Sequence, residues 1–337
     1  FDYFLATGNH HGVNMTTGSE GWTISNNKFY QTAARVVTTA ASRHSAITMN
    51  NTTGTCTISG NTIGFAASNG TGTYTISGTS NEFRGIDVIA NNTAVFSSIQ
   101  GNTVTAINQT TSRASTTSSN AGFTGIQAGT TAVDAPANIG NTTGNTVGSL
   151  DGSSTIVINA SSTTAATAPA IMIGDWNFQT GISISNNNVG SITINNVAGT
   201  GTTVGFRGIF LSSTTGTTRT INNNTIGGTA AGSITDNIVG NYGAYGMQMG
   251  GSSLTASGNI IRNITANANG AVVTVGGFLA SGSTGANTIS QNTIHSLSDI
   301  VTGGSSGAVY AMSLGLPTAA NVVERNFIHS ISATSTF

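Results

Sequence analysis

The chain has 337 residues, of which 6% are charged and 37% hydrophobic, and its formal net charge is −1. A near-neutral surface argues against nucleic acid as a partner, because neutralising phosphates takes a basic face. No apolar run approaches the ~20 residues of a membrane-spanning helix, and regularly recurring Ile and Val set the chain apart from a disordered polar tract.

In chain order, the opening segment FDYFLATGNHHG has neither the basic region nor the apolar run of a signal peptide. It lacks an initiator Met, and the final SISATSTF stops inside the repeating pattern described below. Residues 1–337 therefore read as one β-helix domain, a mature product or a segment of a longer or assembled protein. His10 and His11 stand together here, but no further Cys or carboxylate lies at ligand spacing, so no metal site and no cofactor are expected. Cys56 is the single cysteine; TCTISG around it suggests a small buried side chain.

From residue 22 onward one phrase keeps returning: an asparagine with an apolar residue two positions later. The asparagines are Asn27, Asn61, Asn81, Asn102, Asn145, Asn187, Asn224, Asn259, Asn292 and Asn326. Their spacings are 34, 20, 21, 43, 42, 37, 35, 33 and 34 residues, and the values near 20 are taken as bare coils. The +2 position holds residues such as Phe29, Ile63, Val104 and Ile328; the −3 position holds Ile24, Ile58, Ile99 and Val323; the +5 position holds Ile86, Ile107, Leu150 and Leu297. A +2 step suits a strand, and the changes of parity mark bends between short strands. Asparagine tolerates unusual dihedrals at such bends, and identical amides stacked coil on coil can bond to one another.

Between successive asparagines lies a second signature: RGIDV (84–88), TGIQA (124–128), PAIMI (169–173), RGIFL (207–211), YGMQM (245–249) and YAMSL (310–314). Each is a small residue followed by apolar–variable–apolar alternation, the pattern of a half-buried strand. No stretch has helical periodicity. Insertions at 108–121, 151–168, 195–205, 229–243 and 299–307 are rich in Ser and Thr and are expected to project from one edge.

Short strands repeating every 20 or more residues bury their inward faces only by stacking on the next copy. The fold expected is all-β, a single-stranded right-handed parallel β-helix of about 10–12 coils at ~4.8 Å each. The phrases ISGNTI, ISNNNV, INNNTI and ISQNTI resemble the repeats of right-handed parallel β-helix proteins, the pectate-lyase-like superfamily. Within it they are most similar to the Thr/Ser/Gly/Asn-rich helices of bacterial secreted or surface proteins, over residues 22–337. That resemblance implies a solenoid. It implies no single activity, since the superfamily includes lyases, hydrolases, depolymerases, adhesins and stalks.

The chemistry-bearing residues were weighed on this frame. Ten acids are spread along the chain with no adjacent or alternating pair, and the paired aspartates, GHG and RIK of the polygalacturonase-type enzymes are absent. Asp87 and Asp175 come nearest to a cluster, but their coils are well separated. Three positions after the corner asparagine, the last three coils carry Arg262, His295 and His329, which stacking would align as an outward stripe for an anionic or sugar-acid ligand. Arg84 and Arg207 read as braces for turns. Phe210 and Trp176 are candidate sugar-stacking rings, with Trp22, Tyr242, Tyr245 and Tyr310 also weighed.

The preferred functional reading is a non-enzymatic structural or adhesive β-helix of a secreted bacterial surface protein, extracellular and able to assemble end to end. Carbohydrate, other surface proteins or copies of itself are its partners. The alternative is a polysaccharide lyase or depolymerase acting on an acidic glycan, which predicts carboxylates, Arg or His within ~6 Å on one wall. A third reading, ice binding, needs outward threonine ladders over several coils. Threonine looks scattered along the chain, and this reading is set below the others.

Overall fold

The computed structural model describes every residue except 1, 3–6, 19, 52, 91–94, 114–120, 131–134, 162–169, 176–181, 197–204, 213–218, 239–242, 251–252, 270–272, 283–284, 303–306, 317–319 and 337. Among the described residues there is no helix, and every strand pair is parallel and joins one coil to the next. The protein is a parallel β-helix with three walls. The first wall is a nine-stranded sheet running from His10–Met15 through Arg43–Asn50, Glu82–Ile89 and Phe123–Ala128 to Ala308–Gly315. The second, also nine-stranded, runs from Trp22–Ser25 through Cys56–Ser59 to Asn321–Glu324. The third has 15 strands, because in the early rungs each pass is broken in two, as at Thr62–Gly64 and Tyr74–Gly78. In the last three rungs it is one ten-residue strand, as in Ile260–Asn269.

Nine strands in each of the first two walls mean nine rungs, fewer than the 10–12 expected, and Asn81 explains the difference. Asn61 is bonded directly to Asn102, and Thr62 pairs with Thr103. Asn81 lies instead at the bend from Tyr74–Gly78 in the third wall to Glu82–Ile89 in the first. There its amide nitrogen faces the carbonyls of Gly78 and Thr110. The two short spacings are halves of a single coil, and no bare coil exists. Ile86, assigned to the +5 position, accordingly belongs to the first wall.

The other nine asparagines form one ladder. In each rung Nδ2 donates to Oδ1 of the next asparagine at 2.9–3.1 Å, from Asn27 to Asn61 and on to Asn326. The backbone N–H donates to the same oxygen, at 2.9 Å from Asn102 and 3.0 Å from Asn61. The second Nδ2 hydrogen goes back to the preceding coil, as from Asn145 to the Ile99 carbonyl at 2.9 Å. The side chains of Asn61 through Asn292 are buried to 1% exposure or less, so a wholly buried polar column is fully satisfied, which is what makes its burial tolerable. The strained dihedral of the corner belongs to the residue before the ladder: Asn26, Gly60, Gly101, Asn186, Asn223, Gly258, Gln291 and Arg325 all have φ between 53 and 67°. Glycine and asparagine hold six of these eight positions because that region disfavours most other side chains.

Inside the corner, apolar side chains stack in columns. Ile24, Ile58, Ile99, Ile139, Ile184 and Ile221 form one, and Phe29, Ile63, Val104, Val147, Val189 and Ile226 another. Each buried aliphatic side chain contributes about 1.5–3 kcal/mol. The +5 column is less regular than the spacing suggests. Ile107 aligns with Tyr74 and Ile156, so excursions at 65–73 and 149–155 push Ala66 and Leu150 out of register. These loops fall within the third wall, so insertions leave from more than one edge.

The two ends differ. In the first rung Phe29 is fully buried, Met15 5% and Ile24 7% exposed, whereas Val323 and Ile328 in the last rung are 49% and 45% exposed. Their equivalents one rung earlier, Ile289 and Ile294, are fully buried. Substituting Asn145→Ala in mid-ladder removes the acceptor of the Asn102 backbone N–H and of one Asn102 Nδ2 hydrogen, and one of the two donors to the Ile99 carbonyl. It is expected to cost about 1–3 kcal/mol, read as a lower urea midpoint with hydrogen exchange rising around rungs three to five.

Candidate functional site

The tight corner between the second and third walls is two residues long in eight of nine rungs and carries no loop, except at 141–143. Chemical variety is concentrated instead on the outer face of the first wall. Two outward columns run along it: His11, Ser45, Arg84, Thr124, Ile171, Arg207, Tyr245, Gly276 and Tyr310, and beside them Asn14, Thr48, Asp87, Gln127, Gly174, Phe210, Gln248, Leu279 and Ser313.

Toward the amino end these columns hold an ionic cluster. Glu82 accepts from Arg43 at 2.9 Å, Arg84 at 3.4 Å and Arg113 at 2.5 Å, and Arg43 also reaches Asp87 at 3.0 Å. Burial alone would push the Glu82 carboxyl up, but Arg84, Arg43 and Arg113 outweigh it and hold it below the usual range. Arg84 is fully buried and also donates to Thr124 and, at 2.6 Å, to Gln127. The two carboxylates are therefore joined through one guanidinium, a proximity hidden in sequence because Arg43 comes from the preceding coil. Asp87 keeps Oδ1 buried and without a hydrogen bond. Nearby, His11 bonds Thr48 at 3.0 Å, and burial lowers its pKa.

In the middle and carboxyl-terminal rungs the same face becomes aromatic. The Arg207 guanidinium lies 4.2 Å from the Tyr245 ring centroid and donates to Gln248 and to the carbonyls of Phe206 and Gly243. Tyr245 and Tyr310, two rungs apart, are 6.2 Å between centroids. The rung between them carries Gly276, where a Cβ would stand 2.5 Å from Tyr245 Cδ1 and 2.7 Å from Tyr310 Cε2. The missing side chain lets the rings meet. Gln248 borders a cleft of about 310 Å³ lined also by Phe210, Met249 and Ser281.

The sequence-derived candidates divide. Arg262, His295 and His329 are register partners, and the two imidazoles stack at 4.6 Å with 6° between planes. Arg262 is turned to the Gly227 carbonyl at 3.2 Å, and burial, His329 and Arg262 lower the His295 pKa. Phe210 is only 7% exposed and packs with Ala121 and Ile171, so its ring is no open platform; covering packing around the first wall consumes it. Trp176 and Tyr242 lie outside the described residues, as does the side chain of Asp175. Arg207 braces its turn, as expected, and also carries the Tyr245 ring. The Tyr245–Gly276–Tyr310 grouping escaped sequence reading because its members lie 31 and 34 residues apart; the signal available was the aromatic directly before each small–apolar strand.

Two acids point inward rather than outward. Asp236 and Asp299 share an interior column with Ala266 and Ala333. Asp236 accepts the Phe206 N–H at 2.8 Å, and burial pushes its pKa up to about 8. Asp299 has both oxygens buried without a partner and is pushed up to about 6 by burial. Among the described residues no group of three or more His, Cys, Asp or Glu side chains is placed to hold a metal, and no helix is long and apolar enough to cross a membrane. No family profile, curated protein or solved structure matches the chain.

Two outcomes follow. Because the folded-state pKa of Asp236 lies above its ordinary 3.8, folding takes up a proton between that value and about 8. Stability is therefore lost as pH rises through that window, and Asp236→Asn should flatten the fall in melting temperature measured from pH 5 to 8. Glu82→Ala, which leaves Arg84 buried without its counter-charge, is expected to cost about 3–5 kcal/mol in chemical denaturation.

Proposed function

We propose that the chain is a non-enzymatic structural and adhesive β-helix of a secreted bacterial cell-surface protein, with the first wall as its contact face and a neutral glycan as its partner. The observation that carries this reading is how the first wall uses its polar groups. Its charges are spent on one another, Glu82 on three guanidiniums and Asp87 on Arg43. What remains half-buried is the Tyr245–Tyr310 pair, with Gln248 leading into the cleft. Ring faces and an amide suit the apolar faces and hydroxyls of sugar rings better than they suit acid–base chemistry. The exposed apolar side chains of Val323, Phe327 and Ile328 support end-to-end stacking of copies in this reading.

The alternative, a lyase acting on an acidic glycan, is favoured by one observation, the unbonded Asp87 Oδ1 beside Arg43 and near His11. One experiment separates the two. The full chain is passed over immobilised neutral and acidic glycans, and the same mixtures are monitored for unsaturated products. Retention on neutral glycan that Tyr245→Ala and Tyr310→Ala abolish, with no product formed, is the expected result. Product from an acidic glycan that disappears in Asp87→Asn would replace this reading with the lyase.

A further inference from the structure

The second wall has a regularity that the adhesive reading leaves unused. Through the first eight rungs its strands offer two outward positions each, for example Thr57 and Ser59 beside the inward Cys56 and Ile58. The first of these columns holds Thr23, Thr57, Thr220, Thr255 and Thr288, with Ser98, Asn138 and Ser183 in the rungs between. The second is serine in five rungs, Gln100 and Asn222 in two, and Gly140 in the fourth. Of sixteen outward positions in these eight rungs, fifteen carry a hydroxyl or an amide and Gly140 carries no side chain; in the ninth rung the same columns hold Val322 and Glu324. Threonine that looks scattered along the chain is in register across the wall.

These hydroxyls are free. Among the described residues no protein group hydrogen-bonds the Oγ1 of Thr23, Thr57, Thr220, Thr255 or Thr288. The outer face of the third wall behaves differently. There Asn159, Asn195, Asn237 and Asn267 bond to one another and to Asn108 in a second amide ladder at 2.8–3.0 Å. That wall interleaves the amide ladder with its own threonines, Thr62, Thr103, Thr146 and Thr225, and with loops at 65–73 and 149–155. On the second wall the threonines are left to solvent, while the serines are partly paired, as between Ser183 and Ser185 and between Ser257 and Ser290.

We propose that the second wall is an ice-binding face. Its columns repeat every ~4.8 Å along the axis and lie ~6.7 Å apart along each strand, a mesh close to the oxygen spacing on a prism face of hexagonal ice. Threonine is stiff at χ1 because Cβ is branched, and the β-helix fixes the backbone beneath it. The oxygen positions are therefore set before water arrives, and little ordering cost remains. Each hydroxyl anchors one water, and the methyl beside it holds the next waters away from competing protein groups. The tight asparagine corner keeps loops off this side in all but the fourth rung. A glycan fits this face less well, since no ring stands on it for a sugar to stack against.

The test uses the full chain in an ice-affinity partition, with thermal hysteresis measured in parallel. The chain is expected to enter a slowly growing ice hemisphere and to shape ice crystals. The pair Thr220→Tyr and Thr255→Tyr, on the second wall, should fall to the level of a non-binding protein. The pair Thr193→Tyr and Thr235→Tyr, on the third wall, should behave as the parent chain. Circular dichroism and melting establish that each variant is folded, and Thr220→Lys with Thr255→Lys serves if the tyrosine pair is not. Exclusion of the parent chain from ice, or equal uptake of both variant pairs, overturns the proposal. So does retention on an insoluble neutral glycan that the second-wall variants abolish without any ice uptake. The first-wall tyrosine variants play no part in these outcomes, so this proposal and the adhesive one stand or fall separately.

Discussion

The structure depends on one repeated hydrogen-bonded unit, the side-chain amide of an asparagine buried at the tight corner between the second and third walls. Its oxygen accepts two N–H groups from the coil before, and its nitrogen bridges to the coils on either side. A lone buried amide would be costly. Nine in register satisfy one another, and because the amide-to-amide bonds run between coils the ladder works only when each coil sits directly on the last. It converts chain connectivity into axial register, and register then aligns the isoleucine and valine columns. The apolar columns supply most of the favourable free energy and already oppose a one-residue slip, which would turn their side chains outward. The amides add a directional bond that fixes the corner of each coil on the next.

Once the corner is held, the three walls are free to differ. Interior positions of the second and third walls vary little, because each must match the residue above and below. The first wall, joined to its neighbours by connections of three to eleven residues, carries the non-repeating chemistry: an ionic cluster at one end and a tyrosine pair over a glycine toward the other. The second wall carries hydroxyls and amides through its first eight rungs. Division of labour among walls arises from geometry, since a corner two residues long has no room for an insertion whereas a longer connection does.

Charge is rare in this chain, and where it occurs it is mostly spent on structure. Arg84, Arg207 and Arg219 are nearly or wholly buried, each directed at backbone carbonyls or neighbouring side chains. Asp236 and Asp299 face the interior column and resist ionisation there. Such groups make the fold sensitive to pH even though the net charge is close to zero. In a solenoid, where each coil contacts only its neighbours, that sensitivity is local to a few rungs.

Much of this architecture was legible in the residues alone. Asparagine before a branched residue, repeated at intervals, determined a stacked parallel β-helix, because only register between coils gives such a pattern a physical purpose. The −3 and +2 isoleucines named two core columns. What the residues could not determine was the length of a coil. Asn81 carries the same local phrase as Asn61 and Asn102, and only the third dimension places it at a different corner. Nor could they show that Arg43 joins Glu82 to Asp87, that Gly276 brings Tyr245 and Tyr310 together, or that threonines 30 to 40 residues apart share one column. These are contacts between coils whose loops differ in length, so sequence distance carries no information about them. Local chemistry is written along the chain; which coils' residues become neighbours is decided only when the rungs are stacked.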